Sequence, residues 1–258
     1  MSGKTPLDDA RETYKKRDMA HWKELETLIE ENKLPLSEVL INFPAFVRRR
    51  ELTRLLADYD LFKLIVDLPG SIAELGVYLG SGIFTWAKLL ETFTPGDRSR
   101  MVYGFESTLG YRSLSAEDGK PQPWIDSVTG PKVVSKDYLD RMVRLTNLDG
   151  MIPGIERVRV ITGDIAETVP AFARDSQGIR LSLLYLDVNL FAPTLVGLRA
   201  LYPLLIPGGV LAFNGYAAPP WQGETLAIGT YFNEIGAKQP TLRKYSYSTH
   251  PSGYLIKE

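Results

Sequence analysis

The chain contains no cysteine. Disulfides, thiolate nucleophiles and zinc or iron–sulfur centres held by cysteine are therefore excluded. It also lacks a charge imbalance: 30 Lys and Arg stand against 31 Asp and Glu, a formal net charge of -1. Nucleic-acid binding normally needs a basic footprint, so no such partner is expected. No apolar run reaches the ~20 residues of a membrane-spanning helix. The first thirty residues are densely charged and hold no apolar core of the kind a secretory signal requires. A soluble, cytoplasmic protein without a membrane partner is the expectation. Internal repeats and low-complexity tracts are absent too. What the chain has is 258 residues, 44% of them hydrophobic, enough for one α/β domain with additions.

Two regions differ in periodicity. Residues 1–68 carry helical spacing in two or three pieces, broken near Leu34-Pro35 and Phe43-Pro44. They read as an N-terminal helical extension suited to self-association or to covering an active site, so a homo-oligomer is expected. Residues 69–258 alternate strands with helices. Strands are expected at Ser71–Leu75, Arg100–Phe105, Arg157–Ile161, Leu181–Asp187 and Gly209–Phe213. Helices are expected at Ile83–Thr92, Lys136–Thr146, Ile165–Arg174 and Pro193–Leu205. That alternation marks a doubly wound, mostly parallel sheet covered on both faces. The last segment, Thr241–Tyr247 with Gly253–Lys257, reads as a hairpin through His250-Pro251-Ser252-Gly253, adding an antiparallel strand. The connection 107–136 has no regular pattern, as in lids and binding loops.

The most informative stretch is ELGVYLGSG, Glu74 to Gly82, where a buried strand gives way to a helix. Glycines at 76, 80 and 82 permit positive φ and leave room for a ligand, while the new helix presents free N–H groups. The spacing does not fit the dinucleotide fingerprint G-x-G-x-x-G. An acidic residue two positions before the first glycine would repel a pyrophosphate but suits a cationic amino-acid moiety. The motif resembles the first motif of S-adenosylmethionine (SAM) methyltransferases.

In such sheets ligands bind outside the carboxyl ends of the strands. Four acidic or amide positions fall there: Glu106 after the second strand, Gly163-Asp164-Ile165 after the third, Asp187 after the fourth and Asn214-Gly215-Tyr216 after the fifth. Each alone is compatible with a helix N-cap or a solvated loop. Their concurrence on one edge favours a site.

GSIAELGVYLGSG, VYGFES, VRVITGDIAETVP and LLYLDVNLFAPTLVGLRALYPLLIPGGVLAFNGY, in this order, resemble the macrocin O-methyltransferase family, which methylates sugar hydroxyls in antibiotic biosynthesis. The resemblance covers Leu68 to Tyr216 and implies a Rossmann-like class I SAM methyltransferase fold. It places Glu74, Gly76, Val77, Gly80 and Gly82 at the methionine end of SAM, Glu106 and Ser107 at the ribose, and Gly163, Asp164 and Ile165 at the adenine, with Asp187 beside the cofactor. Members of the family usually carry an aspartate pair after the PGG strand that binds magnesium together with the fourth-strand aspartate. This chain has Asn214-Gly215 there, and Asn189 where a second fourth-strand carboxylate is common. Asp187 and Asn214 alone would make a weak site, so no metal or a loosely held one is expected.

Asp187 is the first choice of general base and His250 the second, because a hairpin would bring His250 to the same edge. Acceptor contacts are expected from Tyr111, Arg112 and Trp124 in the insertion, from Asn189, Asn214 and Tyr216, and from Trp221 after the fifth strand. The expected acceptor is a small-molecule sugar or glycoside, free or nucleotide-linked. A phenolic acceptor, a non-catalytic SAM- or sugar-binding relative, and a nicotinamide oxidoreductase disfavoured by the glycine spacing remain as alternatives.

Overall fold

The computed structural model describes residues 6–111 and 114–258. Four helices open the described chain: α1 Pro6–Glu31, α2 Leu36–Ile41, α3 Phe43–Phe46 and α4 Arg49–Ile65. Pro35 is the N-cap of α2 and Pro44 lies in the first turn of α3, where a missing N–H costs no helical bond. The two foreseen proline breaks are thus element boundaries, and a third between α3 and α4 makes four pieces. The chain divides into two compact units at Leu52/Thr53, inside α4. In the first unit neither α2 nor α3 has a buried residue. The Arg48-Arg49-Arg50 run is partly spent there, since Arg48 pairs with Asp18 and lies 5.8 Å from the Trp22 ring centroid.

The second unit is built on six strands: β1 Ser71–Leu75, β2 Val102–Glu106, β3 Val158–Thr162, β4 Leu181–Leu186, β5 Leu205–Phe213 and β6 Gly253–Ile256. Their order is β3-β2-β1-β4-β5-β6, parallel except for β6 against β5. Between them run α5 Ser81–Phe93, α6 Gln122–Trp124, α7 Lys136–Leu148, α8 Ile165–Asp175, α9 Phe191–Leu201 and α10 Gln222–Glu234. Strand side chains alternate between two apolar layers. Ala73, Leu75, Leu184, Leu186, Leu211 and Phe213 pack with Val169, Leu198, Ile228 and Phe232 of α8, α9 and α10. Ile72, Leu183, Tyr185, Val210 and Ala212 pack with Leu61, Phe62 and Ile65 of α4 and with Trp86, Leu90 and Leu139 of α5 and α7. Fully burying each such side chain stabilises by about 1.5–3 kcal/mol.

At the amino edge of the sheet, two buried arginines hold strand starts to helix ends. Arg100 donates to the carbonyls of Ile65, Val66 and Gly70 at 3.1, 2.9 and 3.0 Å. Arg157 donates to the carbonyls of Pro95 and Arg100 at 2.8 and 3.2 Å and pairs with Glu91. Arg100, expected as the first residue of a strand, is therefore a helix-end clamp instead, and β2 begins at Val102.

Four expectations need correction. The helix expected through Leu205 stops at Leu201, because Pro203 sits in a 3-10 turn, Tyr202–Leu204, and cannot donate back into the helix. Leu205 is already the strand partner of Leu181, so β5 starts four residues early. The hairpin has one true arm: β6 joins the sheet, while the 241–247 segment contributes a single bridge, Arg243 to Tyr254. There Tyr245 stacks 5.1 Å from the Tyr254 ring instead of extending a ladder. The insertion is not without regular structure, since it contains α6 and helical turns at Ala116–Asp118 and Ile125–Thr129. Helix α10 was not foreseen at all, although Ala227/Tyr231 and Ile228/Phe232 carry the i, i+4 signal.

Candidate active site

Parallel register brings the strand ends into one row. The N–H groups of Gly163, Gly76, Asp187 and Asn214 bond the carbonyls of Glu106, Phe105, Leu75 and Leu186 at 2.9, 2.9, 2.8 and 3.0 Å. The order in which successive strands are added reverses between the parallel neighbours β1 and β4, the switch point at which doubly wound sheets bind ligands. Glu106, Gly76, Asp187 and Asn214 therefore line one edge.

The turn after β1 has Gly76 and Gly80 at φ +87 and +92. Gly80 caps α5 without a side-chain bond, leaving the first N–H groups of that helix open to a ligand. Beneath the turn lies Glu74, 1% exposed, accepting a hydrogen bond from Trp86 Nε1 at 2.6 Å. A Cβ on Gly82 would stand 2.5 Å from Glu74 Oε1, so only glycine fits there. Burial pushes the Glu74 carboxyl up to about 8. Glu106, 5% exposed, accepts from the backbone N–H of Tyr78 at 2.6 Å and of Thr108 at 3.2 Å. Its Oε1 also accepts from the Ser107 hydroxyl at 3.5 Å. Val77 is buried in the core under the turn. Glycine cradle, buried acid and open helix end together fit an amino-acid-bearing nucleoside such as SAM.

Asp187 directly follows β4, its side chain 18% exposed and less buried than the strand before it. Its Oδ1 accepts from Asn214 Nδ2 at 2.6 Å and its Oδ2 from Arg54 Nη2 at 3.2 Å. Tyr185 O–H donates to Asn214 Oδ1 at 3.3 Å, which turns the amide NH₂ toward Asp187. Arg54 also faces Asp58 at 3.8 Å and lies 6.0 Å from the Tyr185 ring centroid. Burial pulls the Arg54 pKa down, but Tyr185, Asp187, Asp58 and Glu74 outweigh it and hold the guanidinium above its ordinary value. Burial pushes Asp58 up to about 7.

The family's magnesium does not fit these residues. Both oxygens of Asp187 face N–H donors, one of them a guanidinium, Gly215 offers no side chain, and the amide of Asn214 presents its nitrogen. An octahedral oxygen shell needs carboxylates that are not there. Among the described residues no group of three or more His, Asp or Glu is placed to hold a metal.

The far side of the cleft is formed by the insertion. Tyr111 stacks on Trp221 with ring centroids 5.1 Å apart, and its hydroxyl accepts from Asn189 Nδ2 at 3.3 Å. Burial pushes the Tyr111 hydroxyl up to about 12. Asp118, 2% exposed, accepts the Phe191 N–H at the start of α9 at 2.6 Å and the Ser115 N–H at 2.8 Å. Gln222 Nε2, at the base of α10, donates to the carbonyl of Glu117 at 3.0 Å. The insertion also holds a cavity of about 340 Å³ lined by Tyr111, Gln122, Ile125, Asp126, Gly130 and Pro131. Trp124 lies on α6 between two of these residues. From α10 the fully buried Glu224 accepts from Gly215 N–H at 2.7 Å and Asn189 N–H at 3.3 Å, moulding both turns. Burial pushes its carboxyl up to about 8.

Tyr111, Asn189 and Trp221 are thus joined by contacts, as are Asn214 and Asp187, and the other candidates have contacts of their own. Asp164 caps α8 by accepting from Ala166 N–H at 2.8 Å, with Ile165 buried behind it and Gly163 at φ +141. Tyr216 packs 5.8 Å from the Phe213 ring. The backbone N–H of His250 donates to the Ser248 hydroxyl at 3.3 Å. Arg112 lies outside the described residues. Sequence reasoning missed Arg54, Asp118 and Glu224.

Solved structures share this architecture. "CalS11, Calicheamicin Methyltransferase" superposes with a TM-score of 0.80 at 25% identity, covering 99% of this chain and 94% of that one. The apo structure of "CalS11, TDP-rhamnose 3'-o-methyltransferase, an enzyme in Calicheamicin biosynthesis" gives 0.71 at 26% identity over 99% and 96%. "O-methyltransferase NovP", at 22% identity and 0.60 over 81% and 79%, shares the fold. No curated protein sequence matches the chain. Sheet order, glycine turn and these likenesses define a Rossmann-like, SAM-dependent methyltransferase. The family profile Macrocin-O-methyltransferase (TylF) matches residues 61–243, and the chain belongs to that family of O-methyltransferases.

Proposed function

We propose that the protein transfers a methyl group from SAM to a sugar hydroxyl of a natural-product glycoside or its nucleotide-linked precursor, with Asp187 taking the proton. The observation that carries this reading is the position of Asp187: at the switch point, held by Asn214 and Arg54, partly exposed, and next to the glycine turn. The similar structures, one of them a TDP-rhamnose 3'-O-methyltransferase, support a sugar acceptor. SAM, when bound, supplies an electrophilic methyl on a sulfonium, so the protein's task is mainly to orient.

The glycine turn and Glu74 hold the amino-acid end, Glu106 with Ser107 the ribose, and Gly163, Asp164 and Ile165 the adenine. Tyr111 and Trp221 offer aromatic faces and Asn189 an amide for a sugar ring. Holding the hydroxyl about 3 Å from the methyl contributes up to ~7–11 kcal/mol. Proton removal by Asp187 adds ~10²–10⁴ in rate. Methyl transfer to a panel of glycosides and nucleotide sugars including TDP-rhamnose tests the acceptor class. Asp187→Ala should bind S-adenosylhomocysteine (SAH) normally and lose turnover; full activity would remove Asp187 from the reaction. A phenol in the same panel, if preferred, would shift the acceptor to the phenolic class.

The proposal includes a homo-oligomer joined through the first unit, supported by Leu36, Leu40 and Ile41, which are 71%, 61% and 74% exposed. A monomeric mass by light scattering would remove that part.

A further inference from the structure

We propose that Arg54 is the fixed cation of the acceptor site: its guanidinium binds the oxygen being methylated and a neighbouring sugar oxygen, and it holds Asp187 in the rotamer that receives the proton. The inference rests on the sugar O-methyltransfer reading above. It starts from a helix that the cofactor motif does not explain. Arg54 and Asp58 lie one turn apart on α4, on the stripe that continues into Leu61, Phe62 and Ile65. Charged groups on an apolar stripe need partners, and Arg54 supplies one to each of two carboxylates: Asp58 on its own helix at 3.8 Å and Asp187, just past β4, at 3.2 Å.

The arginine is not spent in that pairing. A guanidinium carries five N–H donors, and among the described residues one of them makes a hydrogen bond, to Asp187 Oδ2. Arg54 Nε is buried without a hydrogen-bond partner, and so is Asp58 Oδ1. Buried donors left unmatched are rare in folded proteins and call for an occupant. Nε faces Asp58 Oδ2 at 3.8 Å, while the side chain as a whole keeps 23% exposure beside the partly exposed Asp187. The planar fork of arginine suits two oxygens presented side by side, which a vicinal pair on a sugar ring provides.

Charge completes the argument. Asp58 and Asp187 face Arg54 at 3.8 and 3.2 Å, and Glu74 also favours its charged form, in a site whose Asn214 and Gly215 supply no metal-binding carboxylate. In the transfer, the acceptor oxygen forms its C–O bond as the methyl–sulfur bond breaks and leaves its electron pair on sulfur. The hydroxyl proton passes to Asp187. Arg54 stays protonated throughout and stabilises the negative charge that develops on the oxygen as its proton moves to Asp187 and before the C–O bond is complete, the part a divalent ion would otherwise play.

The test compares wild type with Arg54→Lys and Arg54→Ala, using SAH calorimetry and thermal melting as controls for folding and cofactor binding. The expected result is SAH affinity near wild type in Arg54→Lys, a fall in kcat of about 10² with the best acceptor of the panel, and partial recovery of Arg54→Ala by millimolar guanidinium chloride. Wild-type rates in both variants would overturn the inference while leaving the methyltransferase reading intact. A second arm needs no turnover: Mn²⁺ titration followed by electron paramagnetic resonance. Wild type should bind no Mn²⁺ at sub-millimolar concentration, whereas Asp187-dependent binding, lost in Asp187→Asn, would put a metal ion in the role given to Arg54. If wild type methylates nothing in the panel, the sugar reading fails and the Mn²⁺ arm alone judges Arg54.

Discussion

Replacing Gly82 with alanine places a methyl group against the buried Glu74 carboxyl. The new Cβ would stand 2.5 Å from Oε1 and 2.7 Å from Cδ, and Oε2 is in the same contact. An ordinary carbon–oxygen contact is near 3.4 Å, so the carboxyl must move by almost an ångström. Glu74 is 1% exposed and its partner Trp86 is 0% exposed, which leaves no open space to move into. Overpacking of this kind costs about 1–3 kcal/mol. Displacing the carboxyl also breaks the 2.6 Å bond from Trp86 Nε1 and leaves a buried donor unmatched, about 1–3 kcal/mol more. Together these give roughly 2–6 kcal/mol, or a fall in Tm of about 4–24 °C for a domain of this size. SAH affinity should fall with it, because the same carboxyl underlies the cofactor turn. Gly229→Ala is the control of opposite sign: nothing lies within 4 Å of its Cβ position on α10, and alanine there should stabilise by about 0.5–1 kcal/mol. Differential scanning fluorimetry and SAH calorimetry on both variants decide the matter. A Gly82→Ala protein with wild-type Tm and SAH affinity would refute the packing argument.

Further outcomes follow from the buried acids and the insertion. Asp58, Glu74 and Glu224 have folded-state pKa values of about 7, 8 and 8, above their ordinary values of 3.8 and 4.5. The stability they contribute is fully present below the ordinary values and is lost as pH rises through 7 and 8, so the Tm of the ligand-free protein should fall between pH 6 and 9; a rising Tm across that window would contradict it. Asp118→Ala removes the acceptor for the Phe191 N–H and should raise KM for the acceptor several-fold, with SAH affinity unchanged by calorimetry. Glu224→Gln leaves one carbonyl oxygen to serve the Gly215 and Asn189 N–H groups, and should lower stability by about 1–3 kcal/mol in urea titration.

The sheet was legible because strands buried on both faces read as unbroken apolar runs, and because glycine at 76, 80 and 82 has no other common use between a strand and a helix. The cofactor edge followed from strand ends alone. Element boundaries were less legible where proline intervened, as at Pro203, or where tyrosines preferred ring packing to a ladder, as at Tyr245. Two of the three missed residues share one cause: their partners are distant in sequence. Arg54 meets Asp187 across 133 positions and Asp118 meets Phe191 across 73. A signal did exist for two of them. Arg54 with Asp58, and Glu224 ahead of Ala227, Ile228 and Tyr231, are charges set on the apolar stripe of a helix, where a solvated residue has no business. The Ser115-x-x-Asp118 capping box was equally visible.

The arginine clamp at the amino edge has a consequence at the opposite edge. Arg100 grips the last carbonyls of α4, at Ile65 and Val66, while Arg54, eleven residues and about 16 Å back along the same helix, reaches Asp187. Helix α4 is thus a strut footed on one rim of the sheet and carrying its charge to the other. A strut fixed at its foot cannot be re-aimed by a few loop substitutions. Divergence toward new acceptors is therefore channelled into the insertion and the residues around Trp221, and a laboratory search for altered specificity should randomise those segments while leaving α4 alone.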